Sequence, residues 1–245
     1  MNLFDKIEDP RRRMLIEALT VGFFAWGAPV GAYAQTLLGG RPAKLPPGQS
    51  IYRCVGTVTV NGAPVTTLQM IIKVGDTVET GKDSEICFVV GDQAMILRAE
   101  TRCVIEGDKK QTASLAVSTL RLVAGKCLSV SRNRDMQLVT ATATVGIRGT
   151  GWYAESDPEQ TYFCTCYGRT EVAANNDPKS RETIVAKHHE RPVYILAKPQ
   201  GGSSIRNAPF INHTDQELTL IETLVGRTPP FIFPKDDYKG PRRDY

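Results

Sequence analysis

Residues 86–98, I-C-F-V-V-G-D-Q-A-M-I-L-R, decide the fold class of this chain. Two short apolar runs rich in Val and Ile flank Gly91-Asp92. Apolar runs of this length bounded by turn residues are strands, since a helix needs about 10–12 residues or more. The stretch reads as a hairpin. Toward the N-terminus the same alternation predicts a strand over 55–60, Asn61-Gly62 as a type I′ turn, a strand over 65–73 and a turn at Gly75-Asp76. The Gly-Asp pair starts at positions 75, 91 and 107, a constant interval of 16 residues. Weaker turn signals at Gly81-Lys82-Asp83 and Glu100-Thr101 halve each interval. The pattern fits a mainly β fold of short strands, as a meander, a sandwich or a short β-solenoid.

Toward the C-terminus, residues 115–130 read as two strands around Ala124-Gly125, and 139–145 as a half-buried strand. Gly146, Gly149 and Gly151 mark a bulge or tight bend, and no Gly-Lys-Ser/Thr follows that would make it a phosphate loop. Residues 162–167 and 170–174 read as a last hairpin around Gly168, which ends the β domain, 51–174, near residue 174. In the extension, 175–231, Thr214-Asp215-Gln216-Glu217 is a capping box. Leu218, Ile221 and Leu224 follow at helical spacing and Gly226 stops the pattern, so one amphipathic helix is expected at about 215–225. Pro234 and Pro241 carry 232–245 off as an extended tail.

The N-terminus predicts the compartment. Arg11, Arg12 and Arg13 precede an apolar run, 14–30, that ends in Ala32-Tyr33-Ala34, the small-x-small pattern a signal peptidase accepts. The reading is a signal peptide over 1–34, with a flexible Gly/Pro-rich leader over 35–50. Uncharged residues 18–40 are nearly long enough to span a bilayer, so an uncleaved anchor is the alternative. After cleavage no transmembrane span is expected, and the mature protein is periplasmic, where its six cysteines are free to oxidise. With 41% hydrophobic and 23% charged residues the 245-residue chain is neither disordered nor collagen-like. Its net charge of +4 is dispersed, which argues against nucleic acid as a partner.

The segments G-T-V-x-V-N-G (56–62), V-G-D-T-V-E-T-G-x-x-S (74–84), L-R-L-V-A-G-K (120–126) and T-A-T-x-G-I-R-G-T (142–150), with the hairpin at Gly168, resemble the FecR domain over roughly 51–174. The stretches C-T-C-Y-G (164–168) and L-V-G-R-x-P-P-F (224–231) look like stand-alone FecR-domain proteins of proteobacteria. The resemblance implies an all-β periplasmic module that binds or signals without catalysis. In the member that names the family, a cytoplasmic segment before a membrane span acts on a sigma factor. Only about ten residues precede the apolar run here, so that role is not carried over. An envelope protein or a cell-wall component is the expected partner.

Two residues apart on a strand, Cys164 and Cys166 share a face, where two thiolates can take one metal ion. His188, His189 and His213, the three histidines of the chain, all follow them. Two thiolates and one or two imidazoles suit zinc, copper or another thiophilic ion, which makes a metal- or redox-responsive protein the alternative function. The plainer reading pairs the two cysteines with other thiols. Cys54, Cys87, Cys103 and Cys127 lie in or beside strands and are expected as disulfide staples. No G-x-S-x-G, C-x-x-C or H-E-x-x-H signature is present, and no catalytic residue is expected. Trp152, Tyr153, Tyr162, Phe163 and Tyr167 form either an aromatic binding surface or core.

Overall fold

The computed structural model describes residues 43–107, 116–132 and 135–231. The expected signal peptide, the first part of the leader and the tail lie outside them. Among the described residues there are fifteen strands and one helix: β1 (Ile51–Val55), β2 (Val58–Val60), β3 (Ala63–Pro64), β4 (Thr77–Thr80), β5 (Glu85–Val90), β6 (Gln93–Leu97), β7 (Arg102–Gly107), β8 (Val117–Val130), β9 (Met136–Val139), β10 (Ala143–Ile147), β11 (Gly151–Ser156), β12 (Gln160–Ala174), β13 (Asp177–Ala186), β14 (Val193–Gln200), β15 (Ser203–Asn207) and α1 (Asp215–Leu224).

The strands form two sheets that share β8 and β12. The front sheet runs β1-β5-β6-β8-β11-β12-β14-β15, and the back sheet β3-β2-β4-β7-β8-β9-β10-β12-β13. All pairings are antiparallel except that of β8 with β9. Parallel coils of a solenoid are not what these strands make: β8, β9, β10, β12 and β11 pair in a closed ring, a five-stranded barrel with the remaining strands outside it.

The corners correct the expectation of short strands throughout. Gly125 and Gly168 do not end strands as hairpin turns; they bend continuous ones. β8 pairs with β7 and β9 up to Ala124 and with β11 from Gly125 on. β12 pairs with β11 and β14 up to Tyr167 and with β13 from Gly168 on. Both glycines are left-handed, at φ +90 and +94, a conformation closed to most side chains. A Cβ on Gly168 would sit 2.7 Å from Thr150 Cγ2 and 2.9 Å from the Gly149 carbonyl, and one on Gly125 would run into Thr101. The sheets also run on past residue 174, through β13, β14 and β15. Conversely, residues 65–73, expected as a strand, form a loop, held where Ile72 N–H donates to Ser50 Oγ at 2.8 Å.

Between the sheets lies a core that includes Val78, Ile105, Leu120, Leu122, Val145 and Val172 from the back and Ile86, Phe88, Met95, Leu97, Trp152 and Phe163 from the front. The alternate residues of the front strands, Cys87, Ile96, Leu128, Tyr153, Cys164 and Cys166, face outward into a second cluster under α1. Hence the front sheet is a middle layer. Both its faces are dry, which is why 86–90 and 94–97 read as unbroken apolar runs instead of alternating ones.

The capping box forms as the sequence predicts: Thr214 Oγ1 accepts from Glu217 N–H, and Glu217 Oε2 accepts from Thr214 N–H at 2.9 Å. Leu218, Ile221 and Leu224 are buried on the front sheet, each worth about 1.5–3 kcal/mol. Gly226, at φ +75, ends the helix, with Gly226 N–H on Thr223 O and Arg227 N–H on Glu222 O, both at 2.8 Å. Charges fasten both ends. Arg98 Nη2 reaches Glu217 Oε1 at 3.0 Å and Asn212 O at 2.9 Å. The buried Glu222 accepts from Arg132, Arg227 and the Tyr167 hydroxyl.

Disulfide staples are the other correction: all six cysteines are free. Cys87 faces outward from the front sheet while Cys103 and Cys127 face the core between the sheets. Packed as small apolar groups, they have thiols raised by burial, that of Cys103 to about 12. Trp152 and Phe163 stack in the core between the sheets at 6.2 Å. Tyr153, Tyr162 and Tyr167 are buried under the α1 segment. The five aromatics are core, not a surface.

Candidate metal centre

Alternation along β12 turns Phe163 inward and Cys164 and Cys166 outward. Opposite them passes the loop after β13. Its turn is tied by Glu190, whose carboxylate accepts from Lys187 N–H at 2.5 Å and His188 N–H at 3.2 Å; these donors, the first above all, hold that carboxyl below its usual range. His189 takes a left-handed conformation, φ +58, which costs a residue with a Cβ roughly 1–3 kcal/mol. That strain turns its ring onto the sheet, and its backbone N–H donates to Cys166 O at 3.0 Å. The third segment, 208–214, crosses the same face on its way to α1. There the His213 ring stacks on Tyr153 at 4.5 Å.

These three segments bring four donor atoms together. Cys164 Sγ, Cys166 Sγ, one nitrogen of His189 and one of His213 all lie within 4.8 Å of one another, and all four residues are buried. Cys164 Sγ is 3.4 Å from His189 Nδ1, and His213 Nε2 is 3.2 Å from the same nitrogen. Ligands placed tetrahedrally at Zn–N and Zn–S bond lengths lie about 3.3–3.8 Å apart, so small shifts of these side chains suffice for one ion.

The outer nitrogens are already committed. His213 Nδ1 lies 2.7 Å from the Ile211 carbonyl, and His189 Nε2 lies 3.0 Å from Asp215 Oδ1. Both partners only accept, so both outer nitrogens carry hydrogen, and in the neutral imidazoles the inner nitrogens bear lone pairs. Two lone pairs facing each other at 3.2 Å need a cation between them, a proton or a metal ion. Without metal a proton serves. Burial would raise the Cys164 thiol, but its hydrogen bond with Cys166 and the imidazoles of His213 and His189 outweigh burial and hold it well below the usual thiol range. Cys166, dominated by burial and then by the neighbouring thiolate, lies well above that range. Burial would lower His189, but Asp215 and Cys164 raise it to about 9. Asp215, which burial alone would raise, is lowered by its bonds to His189 and His188.

Of the five residues singled out in the sequence, the structure brings four to one point. His188 goes elsewhere: its Nε2 meets Asp215 Oδ2 at 2.9 Å. Asp215, which orients His189, was missed. The available signal was its place two residues after His213, in the acidic first turn of α1. Cys164, His189 and Asp215 also lie in the order of a nucleophile, a base and an orienting carboxylate. Cys164 nonetheless has no exposed surface, and Cys166 and His213 crowd its sulfur, so ligation suits the arrangement better than attack on a substrate.

No protein-family model matches the chain, and no curated protein matches it. The resemblance to the FecR domain therefore rests on the quoted motifs. Two crystal structures of a "putative anti-sigma factor" from Parabacteroides distasonis, at 1.65 and 2.50 Å resolution, are each 14% identical to this chain, with a TM-score of 0.41. The match covers 54% of this chain and 59% of theirs, a likeness too slight to carry an argument about function.

Proposed function

We propose that this protein is a non-enzymatic, metal-responsive β module of the cell envelope, in which Cys164, Cys166, His189 and His213 hold one thiophilic ion, zinc or copper(I). The observation that carries the reading is the convergence of four buried donor atoms within 4.8 Å, with the outer nitrogen of each imidazole bonded to an acceptor. Metal-ligating histidines are oriented in this way by carboxylates and carbonyls. Four protein ligands and no open position are the pattern of a structural or regulatory ion. Here the ion would replace the shared proton and cross-link β12, the 187–192 loop and the segment leading into α1. Its presence or loss would then be read as a fastened or loosened helix layer. The periplasm is part of the proposal, supported by Ala32-Tyr33-Ala34 and the preceding apolar run. An envelope protein or cell-wall component, as the FecR resemblance implies, is the partner to which that state would be signalled.

The test is elemental analysis of protein purified from its native compartment under non-chelating conditions. Bound zinc or copper, lost together with Cys164→Ser and Cys166→Ser, supports the reading. Metal-free protein that binds neither ion when titrated would overturn it.

A further inference from the structure

The four-ligand site uses one nitrogen of His189. The other, Nε2, is one of three donors on the far side of the ring: His189 Nε2, His188 Nε2 and the Asp215 carboxylate all lie within 4.8 Å of one another. Each carboxylate oxygen meets one imidazole, Oδ2 that of His188 at 2.9 Å and Oδ1 that of His189 at 3.0 Å. Consecutive residues on an extended chain point apart. His188 and His189 converge because His189 is left-handed and Glu190 ties the turn. Orienting His189 for the inner site needs only one of these rings, so the second remains to be accounted for. The side chain of His188 is 36% exposed whereas that of Asp215 is fully buried, so this group opens toward solvent on the His188 side.

We propose that His188 Nε2, Asp215 and His189 Nε2 form a second, open divalent-cation site that shares His189 with the Cys2His2 site. The inference rests on the proposed function, since His189 must already be turned toward an inner ion. Two imidazoles and a carboxylate with vacant positions suit zinc, copper(II), cobalt(II) or nickel(II), while the inner site with its two thiolates takes the softer ion. The protons balance. The outer ion displaces the Nε2 proton of His189, which then bridges the two ions as an imidazolate. His188 moves its proton to Nδ1 and offers Nε2. One proton is released, and the carboxylate and imidazolate together match the charge of a dication. With three protein ligands, the outer ion keeps positions for water or an anion, as exchangeable ions do.

The experiment titrates the full-length protein with cobalt(II), following thiolate-to-metal charge transfer, the d–d bands and the ion count at saturation. Two ions per chain are expected. The charge-transfer band should grow over the first equivalent only, and the electron paramagnetic resonance signal should fall as the second couples through the bridge. His188→Ala should take the count from two to one and leave the charge-transfer band intact, which also shows that the variant is folded; His188→Gln should do the same. One ion in the native protein, unchanged by either variant, overturns the second site and leaves the inner one standing. Two ions in both variants also overturn it. No ion at all would remove the proposed function, and the outer site with it.

Discussion

The backbone N–H of His189 donates to the carbonyl of Cys166 at 3.0 Å, so the strand that presents both thiols also fixes the backbone of the first imidazole. The donor groups on β12 and the loop are thus held side by side by the backbone itself. Asp215 supplies the rest of the orientation through His189 Nε2. Asp215→Asn is expected to weaken zinc binding about 10–100-fold, or ~1.4–2.7 kcal/mol, because an amide oxygen is a poorer acceptor for the ligating ring. A competition titration against a chromogenic chelator measures it, and an unchanged affinity would refute the orienting role.

Removing the ion should loosen the layer that His213 introduces. Treating loaded protein with a chelator is expected to raise trypsin cleavage at Arg227 by about tenfold, since opening of the α1 segment would become easier by ~1.4 kcal/mol. Cleavage at Arg102, within β7, should not change. Equal acceleration at both sites would mean that the ion supports the whole fold and not this layer.

The two corner glycines make a graded prediction against a third. Gly62 has φ +80 and open space where a Cβ would go, so Gly62→Ala should cost only the left-handed penalty of about 1–2 kcal/mol. Gly168→Ala adds the contacts with Thr150 and Gly149, and Gly125→Ala the collision with Thr101; both should exceed Gly62→Ala by at least ~1 kcal/mol. Urea denaturation ranks the three. Equal values would mean that the corners yield without resistance.

Arg98 and Glu217 form a buried pair, with side chains 5% and 4% exposed. Arg98→Met leaves a buried carboxylate without its cation and should cost about 3–5 kcal/mol. Adding Glu217→Gln, which keeps a side chain able to complete the capping box, should recover part of that loss. The double variant proving less stable than Arg98→Met alone would show that the pairing is not what fastens α1.

Free, buried thiols have a chemical signature. In native protein loaded with zinc, Cys54, which is only partly buried, should react first with iodoacetamide. Cys103, whose thiol burial pushes up to about 12, should stay unmodified through mildly alkaline pH, because almost none of it is thiolate there. Denatured, chelated protein should take up label at all six cysteines without prior reduction. A smaller uptake, restored by a reductant, would reveal disulfides.

What the sequence made legible was local. The β5–β6 hairpin and the capped helix are written in runs and caps a few residues long, and the shared face of Cys164 and Cys166 follows from strand period alone. The corners were not legible, because a glycine inside an apolar run serves equally as a turn or as a bend in a continuing strand, and only the partner strands decide. β13 and β15 escaped because 177–182 and 203–207 are largely polar, whereas β14 opens on Val193-Tyr194-Ile195-Leu196-Ala197, an apolar strand signal that was there to be read. At His188 and His189 the choice of ligand depends on a left-handed backbone at a residue that rarely adopts it. Asp215 escaped because a carboxylate in the first turn of a helix is already explained by the helix.

Chain order gives the cluster a place in time. Cys164 and Cys166 lie on β12, but His213 follows β15, the last strand added to the front sheet. A chain emerging from the ribosome, or from a translocation pore, has both thiols long before it has the fourth ligand, and contacts so far apart in sequence form late. In the proposed centre, ion capture by the complete set would therefore wait until β14 and β15 have been delivered. Full coordination would mark a front sheet that is complete, and a chain truncated before residue 213 would carry two cysteines that nothing in it can sequester with the same geometry.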